Sequence, residues 1–152
     1  GKTLDLGKRV AEVVSLVAPT ARESHVKLTF EPGERAPIVR ANAEVVQHVV
    51  LNLLVNAIQS CAPEGGAVEV SIEPGDDVRI LVRDSGCGIP EEDRKHLFEP
   101  FRSRKPHGTG LGLFLSRNFA RRFGGDVRLV ASELGNGSCF EIIFQRVEET
   151  SP

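Results

Sequence analysis

Near the start of the chain apolar residues recur at Leu6, Val10, Val13, Val14 and Val17, the spacing of one helix face, and predict a helix over residues 4–24. Val26 to Glu31 then alternates as a short strand, and residues 38–40 form a second after the Pro32-Gly33 turn. Asn42 is placed to cap a second helix, with Glu44 in its first turn. That helix carries a broad apolar face from Val45 to Ile58 and ends before Pro63. Val68, Val70 and Ile72 alternate, the chain turns at Pro74-Gly75, and Val78, Ile80 and Val82 return as the second half of a hairpin. A short acidic helix start at Pro90-Glu91-Glu92 follows, then a third long helix over residues 110–123. Strands at 127–131 and 139–144, joined around Gly135-Asn136-Gly137, close the chain. The order α-β-β-α-β-β-α-β-β predicts an α/β fold of two layers, one mixed and mostly antiparallel sheet with its helices on one face.

Composition narrows the classes. A chain of 152 residues, 40% hydrophobic and 26% charged, fits a single globular domain spanning 1–152. The net charge of −2 leaves no broad basic footprint for nucleic acid. The most apolar stretch, 45–58, is broken by Gln47, His48, Asn52 and Asn56 and does not read as a membrane span. Cys61, Cys87 and Cys139 stand far apart, as expected in a reducing, cytoplasmic setting. With no methionine and a Gly1-Lys2-Thr3 start, the sequence reads as a fragment of a longer protein.

Four segments carry candidate chemistry. Asn52 and Asn56 lie one helical turn apart, so both carboxamides project from the same side. They are either core amides bonded to nearby backbone or hard oxygen donors for Mg²⁺. Asp84-Ser85-Gly86-Cys87-Gly88 follows a strand: a plain turn, or an acceptor for an exocyclic amine beside two glycines that let backbone approach a flat ligand. His107-Gly108-Thr109-Gly110-Leu111-Gly112-Leu113 opens a helix, either as a glycine hinge or as an anion cradle of converging N–H groups. Between them, Phe98 and Phe101 could simply be core and Arg102, Arg104 and Lys105 a solvated run, or this basic segment could be a lid.

Taken in order, Asn-x-x-x-Asn-Ala, Asp-x-Gly-x-Gly, Phe-x-Pro-Phe and Gly-Thr-Gly-Leu-Gly-Leu resemble the N, G1, F and G2 boxes of the sensor histidine kinases, within the wider superfamily of gyrase and MutL. The resemblance continues through Gly124-Gly125 and Gly137-Ser138-Cys139-Phe140 and covers nearly the whole chain. It implies the Bergerat sandwich, with ATP and Mg²⁺ as cofactors. By similarity Asp84 would bond the adenine amine, Gly86 and Gly88 would shape the base pocket, and Asn56 and Asn52 would hold the metal. Gly108, Thr109, Gly110, Leu111 and Gly112 would wrap the triphosphate, Lys105 and Arg104 would neutralise it, and Ser138 would support adenine through water. Asn52 and Lys105 are the catalytic candidates. The short basic lid resembles that of the nitrogen-regulation type kinases.

The resemblance implies a catalytic half only. None of His25, His48, His96 and His107 has the acidic neighbour expected of a phosphoacceptor, so the acceptor would lie on a separate dimerisation domain of the same parent, with a response regulator reached indirectly. The isolated domain is expected to be monomeric, and anchoring of the parent is left open. In the hydrolytic branch a glutamate stands four residues before the metal asparagine. Asn52 holds that place here and is no base near neutral pH, which favours a kinase over an ATPase. The alternatives are a serine kinase of the anti-sigma-factor type and a non-catalytic nucleotide-binding module.

Overall fold

The computed structural model describes residues 2–33, 37–101, 112–145 and 147. It opens on a strand, β1 (Thr3–Asp5), where the apolar pattern predicts helix from residue 4. Asp5 accounts for the difference. Its backbone is extended and its carboxylate accepts the Lys8 N–H at 3.1 Å, so it caps helix α1 (Leu6–Glu23) from outside. Past the helix, His25 adopts a left-handed φ of 57° and turns the chain into β2 (Val26–Glu31).

The single expected sheet is in fact two. β3 (Ile38–Arg40) pairs antiparallel with β1 in a separate two-stranded ribbon. The Leu6 N–H, bonded to the Pro37 carbonyl at 3.2 Å, holds this ribbon against the start of α1. Helix α2 (Ala43–Ser60) follows, capped as expected by Asn42 on the Val45 N–H. Next come β4 (Gly66–Glu73), β5 (Asp77–Asp84), a one-turn helix α3 (Glu91–Arg94), helix α4 (Gly112–Arg122), β6 (Asp126–Glu133) and β7 (Gly137–Gln145). The sheet order is β2-β4-β5-β7-β6. Among the described strands only β2 and β4 run parallel, because α2 supplies the crossover between them that a parallel pair needs.

The α/β architecture with a mixed sheet is therefore as expected. Val68, Val70, Ile72, Val78, Ile80, Val82, Ile142 and Phe144 point from the sheet into one core with the apolar faces of α1 and α2. Glu69, Arg79 and Arg83 alternate onto the opposite, exposed face. Phe123 at the end of α4 stacks on Phe144 with ring centres 5.0 Å apart. No helix among the described residues is long and apolar enough to cross a membrane. The consequence for chemistry is positional: the C-terminal ends of β5 and α2 come to the same edge of the sandwich, together with the start of β7.

Candidate functional site

β5 ends on Asp84, in phase with Val78, Ile80 and Val82, so its carboxylate faces the helices and is only 8% exposed. Oδ1 accepts the Gly86 N–H at 2.9 Å, which turns the chain immediately after the strand. Directly across the ladder on β7 lies Ser138, also buried. A carboxylate and a hydroxyl thus share one wall of the sheet edge. The Asp84 charge reaches Cys61 as well: burial pushes the Cys61 thiol above its ordinary value, and Asp84 adds to the rise.

The two glycines of the following loop are required by protein packing. A Cβ on Gly86 would collide with the Ser60 carbonyl at the end of α2, and Gly88, at φ 74°, would drive one into the Glu133 carbonyl. Hydrogen bonds fix the same approach. Cys87 N–H donates to the Ser60 carbonyl at 3.0 Å, and Gly135 N–H to the Cys87 carbonyl at 2.8 Å. Ser85 Oγ accepts the Ala67 N–H at 2.9 Å. The loop is therefore clamped between α2 and the β6–β7 hairpin.

Asn52 and Asn56 occupy successive turns of α2, both half-buried. The Asn56 carbonyl accepts the Ser60 hydroxyl at 3.0 Å, which ties the second asparagine to the residue on which Gly86 rests. Asn52 Nδ2 donates to Ser116 Oγ at 3.3 Å, and Ser116 is fully buried on α4. With its nitrogen directed at α4, Asn52 presents Oδ1, which accepts no hydrogen bond among the described residues. Two amide oxygens suit Mg²⁺, which prefers hard oxygen donors and keeps waters and substrate phosphates as its remaining ligands.

Phe98 behaves as core, packed against the cluster, with the Arg117 guanidinium 3.6 Å over its ring. Arg117 also donates twice to the Val127 carbonyl, at 3.1 and 3.0 Å. Phe101 does not take the core alternative. It is 78% exposed with a left-handed φ of 64°, because the chain turns there after Pro100. Lys105, Gly108, Thr109, Gly110 and Leu111, with Arg102, Arg104 and His107, lie outside the described residues. Gly112, the first residue of α4, is exposed with open space where a Cβ would stand.

The structure thus brings Asp84, Gly86, Gly88 and Ser138 together, and links Asn52 and Asn56 to them through α2. It adds Ser60, Ser116, Ser132 and Arg94, which sequence reasoning did not single out. Ser116 had a readable signal, a hydroxyl on the inward face of an amphipathic helix in line with buried Ala120. Ser132 had none, since its place depends on a long-range register.

Residues 41–148 match the family described as histidine kinase-, DNA gyrase B-, and HSP90-like ATPase. The chain is 33% identical over 141 residues to the sensor histidine kinase ZraS of Escherichia coli (strain K12), covering 93% of this chain and 30% of ZraS. It is 33% identical over 153 residues to the C4-dicarboxylate transport sensor protein DctS of Rhodobacter capsulatus, covering 98% of this chain and 23% of DctS. It therefore spans less than a third of the length of these relatives. A nucleotide-free form of the catalytic domain of histidine kinase ThkA superposes with a TM-score of 0.84 at 30% identity, covering 95% of this chain and 97% of that one. Full-length ShkA in complex with AMPPNP superposes at 0.81 and 26% identity, over 97% of this chain and 32% of ShkA. The chain belongs to the histidine kinase-, DNA gyrase B- and HSP90-like ATPase family, and within it its likeness runs to the catalytic domains of sensor histidine kinases.

Proposed function

We propose that the chain binds Mg-ATP along the edge formed by α2, the 84–89 loop and α4, and donates the γ-phosphate to a histidine on a separate dimerisation domain of its parent protein. The observation that carries the reading is the pairing of buried Asp84, at the start of a loop packed against the helix that bears Asn52 and Asn56, with Ser138 on β7. Asp84 would accept from the adenine amine, a bond strengthened by its charge. Asn56 and Asn52 would hold Mg²⁺, which neutralises the developing phosphate charge when bound. The segment ahead of α4, with Lys105 and Arg104, would orient the phosphates.

Transfer then rests on positioning. A lone pair of the acceptor ring forms the N–P bond, the bond from γ-phosphorus to the bridging oxygen breaks, and ADP leaves. The ring proton departs on the acceptor's side, because Asn52 on this chain is not a base. A role that consumes ATP places the chain in the cytoplasm, with a response regulator downstream of the phosphorylated partner. Titration with Mg-ATP and Mg-ADP tests the pocket: saturable binding of both supports the reading, and no binding of either overturns it.

A further inference from the structure

The hydroxyl of Ser132 and the side chain of Arg94 lie beside the proposed base pocket without belonging to it. β6 and β7 run in one register up to Leu129–Phe140, then slip by one residue through a bulge between Leu129 and Ala131. Without the bulge, Ala131 would stand opposite Ser138; with it, Ser132 does. Asp84, Ser138 and Ser132 consequently form one row across three strands. The bulge delivers a hydroxyl to a place that the regular ladder would fill with a methyl group.

Ser132 Oγ has one proton and two lone pairs to distribute. It accepts the Ile89 N–H at 2.8 Å. It lies 2.8 Å from Ser138 Oγ and 3.4 Å from the Gly137 carbonyl. Either hydroxyl can be the donor of the 2.8 Å bond, while the Gly137 contact is beyond the usual O–H···O distance. With Ser132 as that donor, Ser138 keeps its own proton to give, which suits adenine N1, an acceptor where guanine N1 carries a hydrogen, or a water bound to it. Arg94 closes the arrangement from α3. Its Nη2 donates to the Ser132 carbonyl at 2.7 Å and its Nε to the Ile89 carbonyl at 3.2 Å. Three hydrogen bonds thus join Ile89 to Ser132, one of them through the same oxygen that touches Ser138.

We propose that Ser132 and Arg94 are positioning residues for base recognition: Ser132 orients the Ser138 hydroxyl as a donor, and Arg94 holds the 84–89 loop at the depth where that hydroxyl and Asp84 act together. This rests on the reading of Asp84 and Ser138 as the base pocket. The test is a cycle of Ser132→Ala, Ser138→Ala and the double variant, with Ser132→Thr and Arg94→Leu alongside, each titrated with Mg-ATP and Mg-GTP. Ser132→Ala should weaken ATP binding up to about tenfold, the size of one lost hydrogen bond. The double variant should lose little more than Ser138→Ala alone, since one residue acts through the other. Preference for ATP over GTP should narrow, Ser132→Thr should restore it, and the transfer rate at saturating ATP should stay unchanged. Arg94→Leu should weaken ATP binding in the same way, with the transfer rate at saturating ATP unchanged. Additive losses in the cycle, or an equal loss of ATP and GTP binding, would overturn the proposal. Asp84→Asn separates the two levels: if it too leaves ATP binding intact, the base-pocket reading fails, whereas its loss beside an unaffected Ser132→Ala sinks the positioning role alone. Should Ser132→Ala not fold, Ser132→Cys and Arg94→Leu carry the same comparison, and unchanged ATP:GTP preference in both refutes it.

Discussion

Replacing Asp84 by asparagine isolates the charge at the proposed base pocket. The substitution keeps Oδ1, so the bond that accepts the Gly86 N–H at 2.9 Å survives and the loop keeps its shape. What changes is the group that would meet the ligand. A carboxylate only 8% exposed becomes a neutral amide whose NH₂ is a donor and would face the donor amine of adenine. Hydrogen bonds to a charged partner contribute about 1.5–3 kcal/mol, so affinity for ATP and ADP should fall about ten- to a hundredfold, equally for both because they share the base. Calorimetric titration measures this, and a thermal melt of each protein checks that the fold is retained. A second readout needs no nucleotide. The negative charge of Asp84 contributes to the raised Cys61 thiol, after burial, so the variant should bring that thiol part of the way back towards 9.0. Unchanged ATP affinity in a folded variant would refute Asp84 as the adenine acceptor.

Asn56→Leu should weaken ATP binding chiefly when Mg²⁺ is present, and titrations in excess chelator should then differ little from wild type; an equal loss in both conditions marks a structural asparagine. Leu53 is 1% exposed in the core of α2, so Leu53→Ala should cost about 2–5 kcal/mol in denaturant unfolding, and a loss under about 1 kcal/mol would contradict the packing described. Burial opposes ionisation of Asp126, yet the Val127 N–H and the guanidinium groups of Arg117 and Arg121 prevail and hold it below the ordinary 3.8. Its stabilisation is full above that ordinary value and is lost as pH falls through the lower folded one, so Asp126→Asn should be less stable than wild type at neutral pH, with the gap closing below about pH 4; a gap constant through that range would refute the assignment.

Local signals were legible where they act locally. The Asn42 cap, the apolar face of α2, the alternation of Val68, Val70 and Ile72 and the hairpin into β5 all follow from spacing, and the structure reproduces them. What stayed hidden depends on partners far along the chain. Nothing within residues 3–5 reveals that they extend to pair with 38–40, and the apolar spacing of Leu6 onward naturally invites the helix to start early. The glycines at 86 and 88 were readable as places of close approach, but what approaches is the carbonyl of Ser60 or of Glu133, which only the fold decides. Likewise Ser132 meets Ile89 and Ser138 only because β6 bulges between Leu129 and Ala131. Asn52 was legible as one of a pair on a helix face, while its bond to Ser116 required α4 to cross α2 at that turn.

The central claim is transfer of phosphate to a histidine in place of hydrolysis. It is tested most directly by incubating the chain with γ-labelled Mg-ATP, alone and with the phosphoacceptor domain of its parent protein. Alone, the chain should neither label itself nor release more than a trace of inorganic phosphate, since Asn52 cannot activate water. With the partner, label should pass to that domain, slowly because the two are untethered, as a phosphoramidate that is lost in acid and kept in alkali. Brisk phosphate release by the chain alone, or an acid-stable label on the partner, would contradict the account.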